Sequence, residues 1–222
     1  MKKIFMAAML LVTMILTVSG CGGQEKTSAE KTSAEKTSSP EKKSAQASAD
    51  KKILVVYFSR TGEEYNVGRI TKGNTAIVAE YIAQKTGADT FEIKPAKPYP
   101  DEYEACTELA KRELESNVRP ALEKNIENLA QYDTIFVGYP IWWGALPRVM
   151  MTFLETNDLS GKTIIPFCTH GGSSLAGTEQ EIIEACPNAK ILSGLAIVGK
   201  TAQNDFPTVQ KDVDAWLKGL GY

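Results

Sequence analysis

The feature that most limits what this chain can fold into is the run of residues 53–58, which has the sequence ILVVYF. All its side chains are apolar or aromatic and several are β-branched, which favours a strand. Because the run has no polar face, it is typical of a strand buried on both sides in a parallel sheet. We therefore expect residues 53–58 to form the first, central strand of a sheet covered by helices.

The chain after this run alternates between strand patterns and helix patterns. Further strands are predicted at residues 90–93, 134–139, 163–168 and 191–198. Helices are predicted at residues 74–86, 147–155, 178–186 and 207–220. Residues 101–130 carry one long helix or two short ones, with a break near residues 117–120. This alternation predicts right-handed crossovers and an α/β fold, a doubly wound five-stranded parallel sheet with helices on both faces.

Ligands of such sheets bind at the carboxyl ends of the strands, so the loops after the first, third and fourth predicted strands are candidate sites. The first loop carries Ser59, Thr61 and Gly62, and the next helix begins with Asn74 and Thr75. Hydroxyl groups, close backbone approach and the N–H groups of a helix N-terminus suit a phosphate dianion. The alternative is a polar turn with an Asn cap.

The loop after the third strand contains two adjacent tryptophans, Trp142 and Trp143, between Pro140 and Pro147. At an exposed strand end the two side chains cannot both face the same core, so we expect at least one of them to lie against solvent or a ligand. A flat aromatic ligand would use such a surface. The alternative is a tryptophan that packs beneath the loop.

The loop after the fourth strand carries the single histidine of the chain, His170, beside Gly171 and Gly172. Paired glycines allow backbone N–H groups to approach a ligand closely. A solvated loop histidine is the alternative interpretation.

Together the three loops resemble those of the flavodoxin-like family, and the resemblance spans residues 51–222. It implies strand order 2-1-3-4-5 and FMN as the cofactor. The loop at 140–147 is also similar to that of FMN-dependent quinone and azo reductases. The implied phosphate ligands are Ser59, Thr61, Gly62, Asn74 and Thr75. The implied ring contacts are Pro140, Ile141, Trp142, Trp143, Gly144, Thr169, His170, Gly171, Gly172 and Ser173.

One departure from the family pattern is the insertion of residues 63–73 within the phosphate loop. If Gly62 and Gly73 act as hinges, the insertion can bulge outwards and leave the hydroxyls in place, with Tyr65 or Arg69 free to cover the cofactor. It could instead displace Thr61.

The flavin loops also bear on redox chemistry, because acidic residues around a flavin disfavour its anionic, fully reduced form. Residues 139–147 and 169–178 contain no acid, and a cationic His170 would favour the anion, whereas Glu63 and Glu64 could reverse this. We expect electron transfer, or reduction of a quinone-like or other small acceptor. A non-catalytic flavin-binding module and a partner-binding protein are the alternatives. The sequence identifies neither the redox donor, the acceptor nor the oligomeric state, and does not separate a carrier from a reductase.

The N-terminal residues 1–20 have the pattern of a signal peptide, with Lys2 and Lys3 before an apolar stretch at residues 4–18. The sequence LTVSGC at residues 16–21 resembles the lipobox of bacterial lipoproteins, which implies lipidation of Cys21. Residues 22–50 repeat Glu, Lys, Thr, Ser and Ala and predict a flexible tether or a weakly helical stalk. We expect a lipid-anchored domain on the extracytoplasmic face of the cell membrane, the alternative being a plain signal peptide with an incidental cysteine.

Composition argues against other classes of function. The net charge of -2, from 25 basic and 27 acidic residues, gives no basic footprint for nucleic acid. With one His and 4 widely spaced Cys, the chain shows no metal-binding pattern.

Overall fold

The computed structural model describes residues 52–222, and the predicted signal peptide, Cys21 and the whole of the tether lie outside this range. Its strands are β1 Ile53–Phe58, β2 Gly62–Glu64, β3 Gly68–Ile70, β4 Asp89–Ile93, β5 Thr134–Pro140, β6 Thr163–His170, β7 Lys190–Ile191 and β8 Leu195–Val198. The main sheet is parallel with the order β4-β1-β5-β6, and both β7 and β8 pair with β6. The predicted α/β fold and strand order are confirmed, except that the fifth strand is split.

The split falls at residues 192–194, between β7 and β8. The N–H of Gly194 donates to Glu179 Oε1 at 2.7 Å, so this backbone group bonds to a side chain instead of a neighbouring strand.

The helices are α1 Asn74–Thr86, α2 Tyr103–Glu115, α3 Arg148–Thr156, α4 Thr178–Ala185, α5 Gly199–Asn204 and α6 Phe206–Leu220. Alternate residues of β1 bury against opposite layers. Leu54 and Val56 belong to a core with α3 and α4, whereas Val55 belongs to a core with α1 and α6. Helices therefore cover both faces, as the uninterrupted apolar run predicts. None of the helices within residues 52–222 is long and apolar enough to cross a membrane.

Residues 101–130 form only one α-helix, α2, followed by an extended return and a 3₁₀ turn at Leu129–Gln131. Asn117 adopts a φ of 48°, which ends the helical path shortly after α2, and Pro120 follows. The return segment bonds to the chain beyond β4, where Ala96 N donates to Ala121 O and Glu123 N donates to Lys94 O, each at 2.8 Å. The alternative of two helices is wrong because these bonds satisfy the backbone in an extended form.

The insertion forms an antiparallel hairpin from β2 and β3, and Asn66 with a φ of 55° lies in its turn. The short helix α5 was not predicted, because the pattern from residue 191 to residue 207 gives no helical period over so few residues.

Candidate functional site

A cavity of about 380 Å³ opens at the carboxyl edge of the main sheet. The residues of the predicted site that line this cavity are Asn74, Pro140, Ile141, Trp142, Trp143, Thr169, His170 and Gly171. Glu64 and Tyr65 of the insertion also line it, and residues that sequence reasoning did not assign complete it: Arg60, Tyr103, Cys106, Thr107, Ala110 and Gly199. The loops after β5 and β6 and the start of α1 thus share one cavity, which we call the ring cavity.

Ser59 and Thr61 instead line a second cavity, of about 350 Å³, and Arg60 lines both cavities. Gly62, Thr75, Gly144, Gly172 and Ser173 line neither of the two. The predicted phosphate loop therefore adjoins the ring cavity at Arg60 without wholly belonging to it.

Ser59 lies at the N-terminus of α1, where its Oγ accepts a hydrogen bond from the Ala76 N–H at 3.0 Å. The cap residue, Gly73, provides no side chain, and the first turn of α1 contains no acid. A Cβ on Gly73 would lie 2.1 Å from Ser59 Oγ and 2.4 Å from Arg60 O, so only glycine permits this close approach. A hydroxyl beside a helix N-terminus whose cap residue has no side chain is a suitable phosphate site.

Thr75 has a structural contact that the sequence did not indicate. It is buried, and its Oγ1 lies 2.8 Å from Thr169 Oγ1, in a hydrogen bond that ties α1 to β6. Thr169 also lines the ring cavity, next to His170, so this hydrogen bond fixes α1 to the strand that ends at the cavity.

The insertion folds into its own hairpin and leaves Ser59 at the helix terminus, where its Oγ still accepts the Ala76 N–H. Thr61 is exposed and faces the second cavity. Tyr65 reaches the ring cavity, whereas Arg69 pairs with Glu63 at 3.3 Å on the surface. Of the two residues proposed to cover the cofactor, only Tyr65 is in place.

Arg60 and Glu64 form a largely buried ion pair in the wall of the ring cavity, with Nη1 2.6 Å from Oε1. Burial raises the pKa of Glu64, and the hydrogen bond and charge of Arg60 oppose that shift. Glu64 is the only carboxylate among the residues that line this cavity, and its charge is balanced by Arg60.

The two tryptophans separate as expected. Trp142 is half-buried and packs edge-on against Phe58 and Tyr99, with ring centroids 5.3 and 4.8 Å apart. Trp143 is 56% exposed, and its Nε1 donates to Thr107 O at 2.9 Å. Both line the ring cavity, so one anchors the loop while the other presents an aromatic surface at its rim.

His170 is held as a neutral imidazole. Its Nδ1 accepts hydrogen bonds from the N–H groups of Gly172 at 3.0 Å and Ser174 at 3.2 Å. Burial also lowers the pKa of His170. This network assigns the ring proton to Nε2, and the cationic His170 considered from sequence is disfavoured.

Helix α2 forms a wall of the ring cavity that the sequence analysis missed. Tyr103, Cys106, Thr107 and Ala110 face the cavity at the i, i+3, i+4, i+7 spacing of one helix face. That spacing was the available signal, but it is equally typical of a helix packed on a core. Burial raises the pKa of Cys106 to about 11, which favours the neutral thiol over the nucleophilic thiolate.

These features fit FMN. The helix N-terminus with Ser59 can receive a phosphate, aromatic side chains line a cavity of suitable size, and Gly73 keeps the phosphate loop close to α1. Trp142, Trp143 and His170, which line the ring cavity, would then border the ring system.

Solved structures with the same fold come from several bacteria. A Bacteroides uniformis protein provisionally classed as a flavoprotein is 35% identical over 76% of this chain and 98% of its own, with a TM-score of 0.60. A Bacteroides eggerthii protein of the same class is 33% identical over 77% of this chain and 98% of its own, with a TM-score of 0.62. A Lactobacillus acidophilus flavoprotein in complex with FMN has the fold at 19% identity, covering 70% and 97%, with a TM-score of 0.55.

The search of curated proteins gave no match. The model of the flavodoxin family matches residues 52–214, which is most of the chain and nearly all of the described domain. The chain belongs to the flavodoxin family.

Proposed function

We propose that this protein is an FMN-binding flavodoxin-type protein that passes electrons to small, quinone-like acceptors from the outer face of the cell membrane. Cys21 would provide the lipid anchor, and the tether would separate the domain from the membrane. The family membership supports FMN, and the lipobox-like sequence supports the location.

The observation that carries the proposal is the meeting of one helix start and two loops at one edge of the sheet. The start of α1, the tryptophan loop after β5 and the glycine loop after β6 all contribute to the ring cavity. When bound, FMN supplies a ring that accepts and returns two electrons and two protons, which is what reduction of a quinone to its hydroquinone requires.

The protein's own groups would orient the ring and tune its charge. Trp143 offers an exposed aromatic face, and the backbone of residues 140–144 borders the cavity. The Arg60–Glu64 pair and the neutral His170 leave the cavity with neither an unbalanced acid nor a free cation among its lining residues. Low-potential carriers surround the flavin with acids, so this balance favours a reductase over such a carrier.

Binding of FMN, riboflavin and FAD to the full-length protein tests the cofactor and the phosphate loop together. We expect tight uptake of FMN with a visible flavin spectrum and weaker uptake of riboflavin. Substituting Ser59→Ala should weaken FMN about tenfold, about 1.4 kcal/mol, and leave riboflavin nearly unchanged, because only FMN carries the phosphate. Equal affinity for FMN and riboflavin would contradict the assignment.

A potentiometric titration of the FMN-loaded protein tests the choice between carrier and reductase. We expect two closely spaced one-electron potentials. Two widely separated potentials with a very low second one would indicate a carrier. A loaded protein that reduces no quinone after chemical reduction would instead be a flavin-binding module.

A further inference from the structure

Tyr65, at the tip of the inserted hairpin, spans one side of the ring cavity. Its ring stacks on Tyr103 of α2, with centroids 6.0 Å apart and an interplanar angle of 29°. Its other contact is the loop after β6, where a Cβ on Gly171 would lie 2.8 Å from Tyr65 Cδ1. Tyr65 therefore closes the gap between α2 and the glycine loop.

The base of the hairpin is fixed. The Arg60 guanidinium donates to Pro100 O, Asp101 O and Glu63 O as well as to Glu64. Within this base the N–H of Glu63 donates to Asp101 O at 2.8 Å. These bonds join the hairpin to the segment just before α2, so the position of Tyr65 follows from an anchored support and not from a free loop tip.

The glycine at position 171 is matched to this contact. Its backbone does not lie in the left-handed region, so alanine is conformationally allowed there, and the nearest atoms to an added methyl group belong to the Tyr65 ring. The absence of a side chain at Gly171 is therefore what admits the aromatic ring.

We propose that Tyr65 is a specificity-determining residue, which admits thin planar electron acceptors to the ring cavity and excludes redox centres carried by other proteins. The inference rests on the proposed function. The cavity's 380 Å³ is near the lower end of the roughly 300–1,000 Å³ typical of small-molecule sites, so little space remains beside a flavin ring. With Tyr65 closing one side, the exposed rim at Trp143 is the side left for a second flat molecule.

The test compares the full-length protein with its Tyr65→Ala and Tyr65→Phe variants, each loaded with FMN and reduced anaerobically. One sample is mixed with a small para-quinone, which takes two electrons and two protons from each reduced flavin to give the hydroquinone. Another sample is mixed with ferricytochrome c. Each reduced flavin then reduces two cytochrome molecules, giving one electron to each. Stopped-flow absorbance gives both rates.

We expect Tyr65→Ala to accelerate the cytochrome reaction roughly two- to tenfold, as expected from loss of one aromatic pair, and to change the quinone reaction less. Tyr65→Phe should behave like wild type, because it keeps the ring. Equal effects of Tyr65→Ala on both acceptors, or none on either, would overturn the inference.

The rate of FMN release, measured by the recovery of free flavin fluorescence, gives a readout independent of electron transfer. Tyr65→Ala should release FMN faster, and Gly171→Ala should do the same by displacing the Tyr65 ring. In the double variant the Gly171 substitution should add nothing, because the ring that it displaces is absent. Additive effects would place the role at Gly171 itself and would contradict the inference. Failure of the wild type to bind FMN would refute the proposed function instead.

Discussion

At the scale of single residues, the backbone decides what the only histidine can do. His170 stands in a glycine-rich loop whose N–H groups of Gly172 and Ser174 converge on Nδ1. A proton on that nitrogen would break both hydrogen bonds, and burial already disfavours the cation. His170 therefore offers the cavity a neutral Nε2–H donor.

The lowered pKa of His170 predicts a specific dependence of stability on pH. Between the folded-state pKa and about 6.5, the unfolded chain binds more protons than the folded one, so acidification lowers the free energy of unfolding. The variant His170→Asn keeps an acceptor atom near the Nδ1 position and does not titrate. We expect the stability of the wild type relative to this variant to decline as the pH falls from about 7.5 to about 5.5, measured by urea unfolding. A difference that stays constant over this range would show that the pKa is not lowered.

The tryptophan pair shows how adjacent identical residues acquire different roles. Trp143 has a φ of 53° and an exposed side chain, whereas Trp142 packs against Phe58 and Tyr99. Left-handed backbone is unusual for a bulky residue, and here it accompanies the exposed position at the cavity rim.

At the scale of elements, the N-terminus of α1 depends on the packing of the loop before it. Gly73 lies at the cap, directly beneath Ser59 and the carbonyl of Arg60. The loop and the helix can approach only because this position has no side chain.

Substituting Gly73→Ala should therefore damage both stability and phosphate binding. The added methyl group would meet backbone atoms that cannot move freely, so we expect a loss of roughly 1–3 kcal/mol in the free energy of unfolding and weaker FMN binding. Gly219→Ala is the matched control, since Gly219 lies in α6 with no atom within 4 Å of an added Cβ. That control should raise stability by up to about 1 kcal/mol through helix propensity, as measured by urea unfolding. Normal FMN affinity in Gly73→Ala would contradict the assigned role of the phosphate loop.

For the hairpin, the sequence indicated that residues were inserted but not where the inserted residues would pack. The insertion was visible as an interruption of the phosphate loop, and glycines at residues 62 and 68 with positive φ form its strand ends. Its docking against α2 depends on Arg60 contacts with residues 100 and 101, which are distant in sequence.

At the scale of the whole molecule, the proposed location depends on one residue beyond the described domain. The variant Cys21→Ser should move the protein from the membrane fraction to the soluble fraction of expressing bacteria. Acyl chains contribute about 0.8 kcal/mol per buried CH₂, and this contribution disappears with the thiol. Cys106→Ala, which removes a buried thiol of the domain, is the control and should leave the protein in the membrane fraction. Retention of Cys21→Ser in the membrane would show that another segment holds the protein there.

The sequence by itself determined the layered fold, because an apolar run such as β1 has to be buried on both faces and the alternation of strands and helices leaves little choice of topology. It also located the tryptophan and glycine loops that border the ring cavity, since parallel strands place their carboxyl ends at one edge. Only the tertiary structure decided that α2 forms a wall, that His170 is neutral and that Tyr65 lies on Gly171. The physical reason is that these features arise from contacts between segments far apart in the chain, whereas sequence patterns report only which side of a single element faces inward.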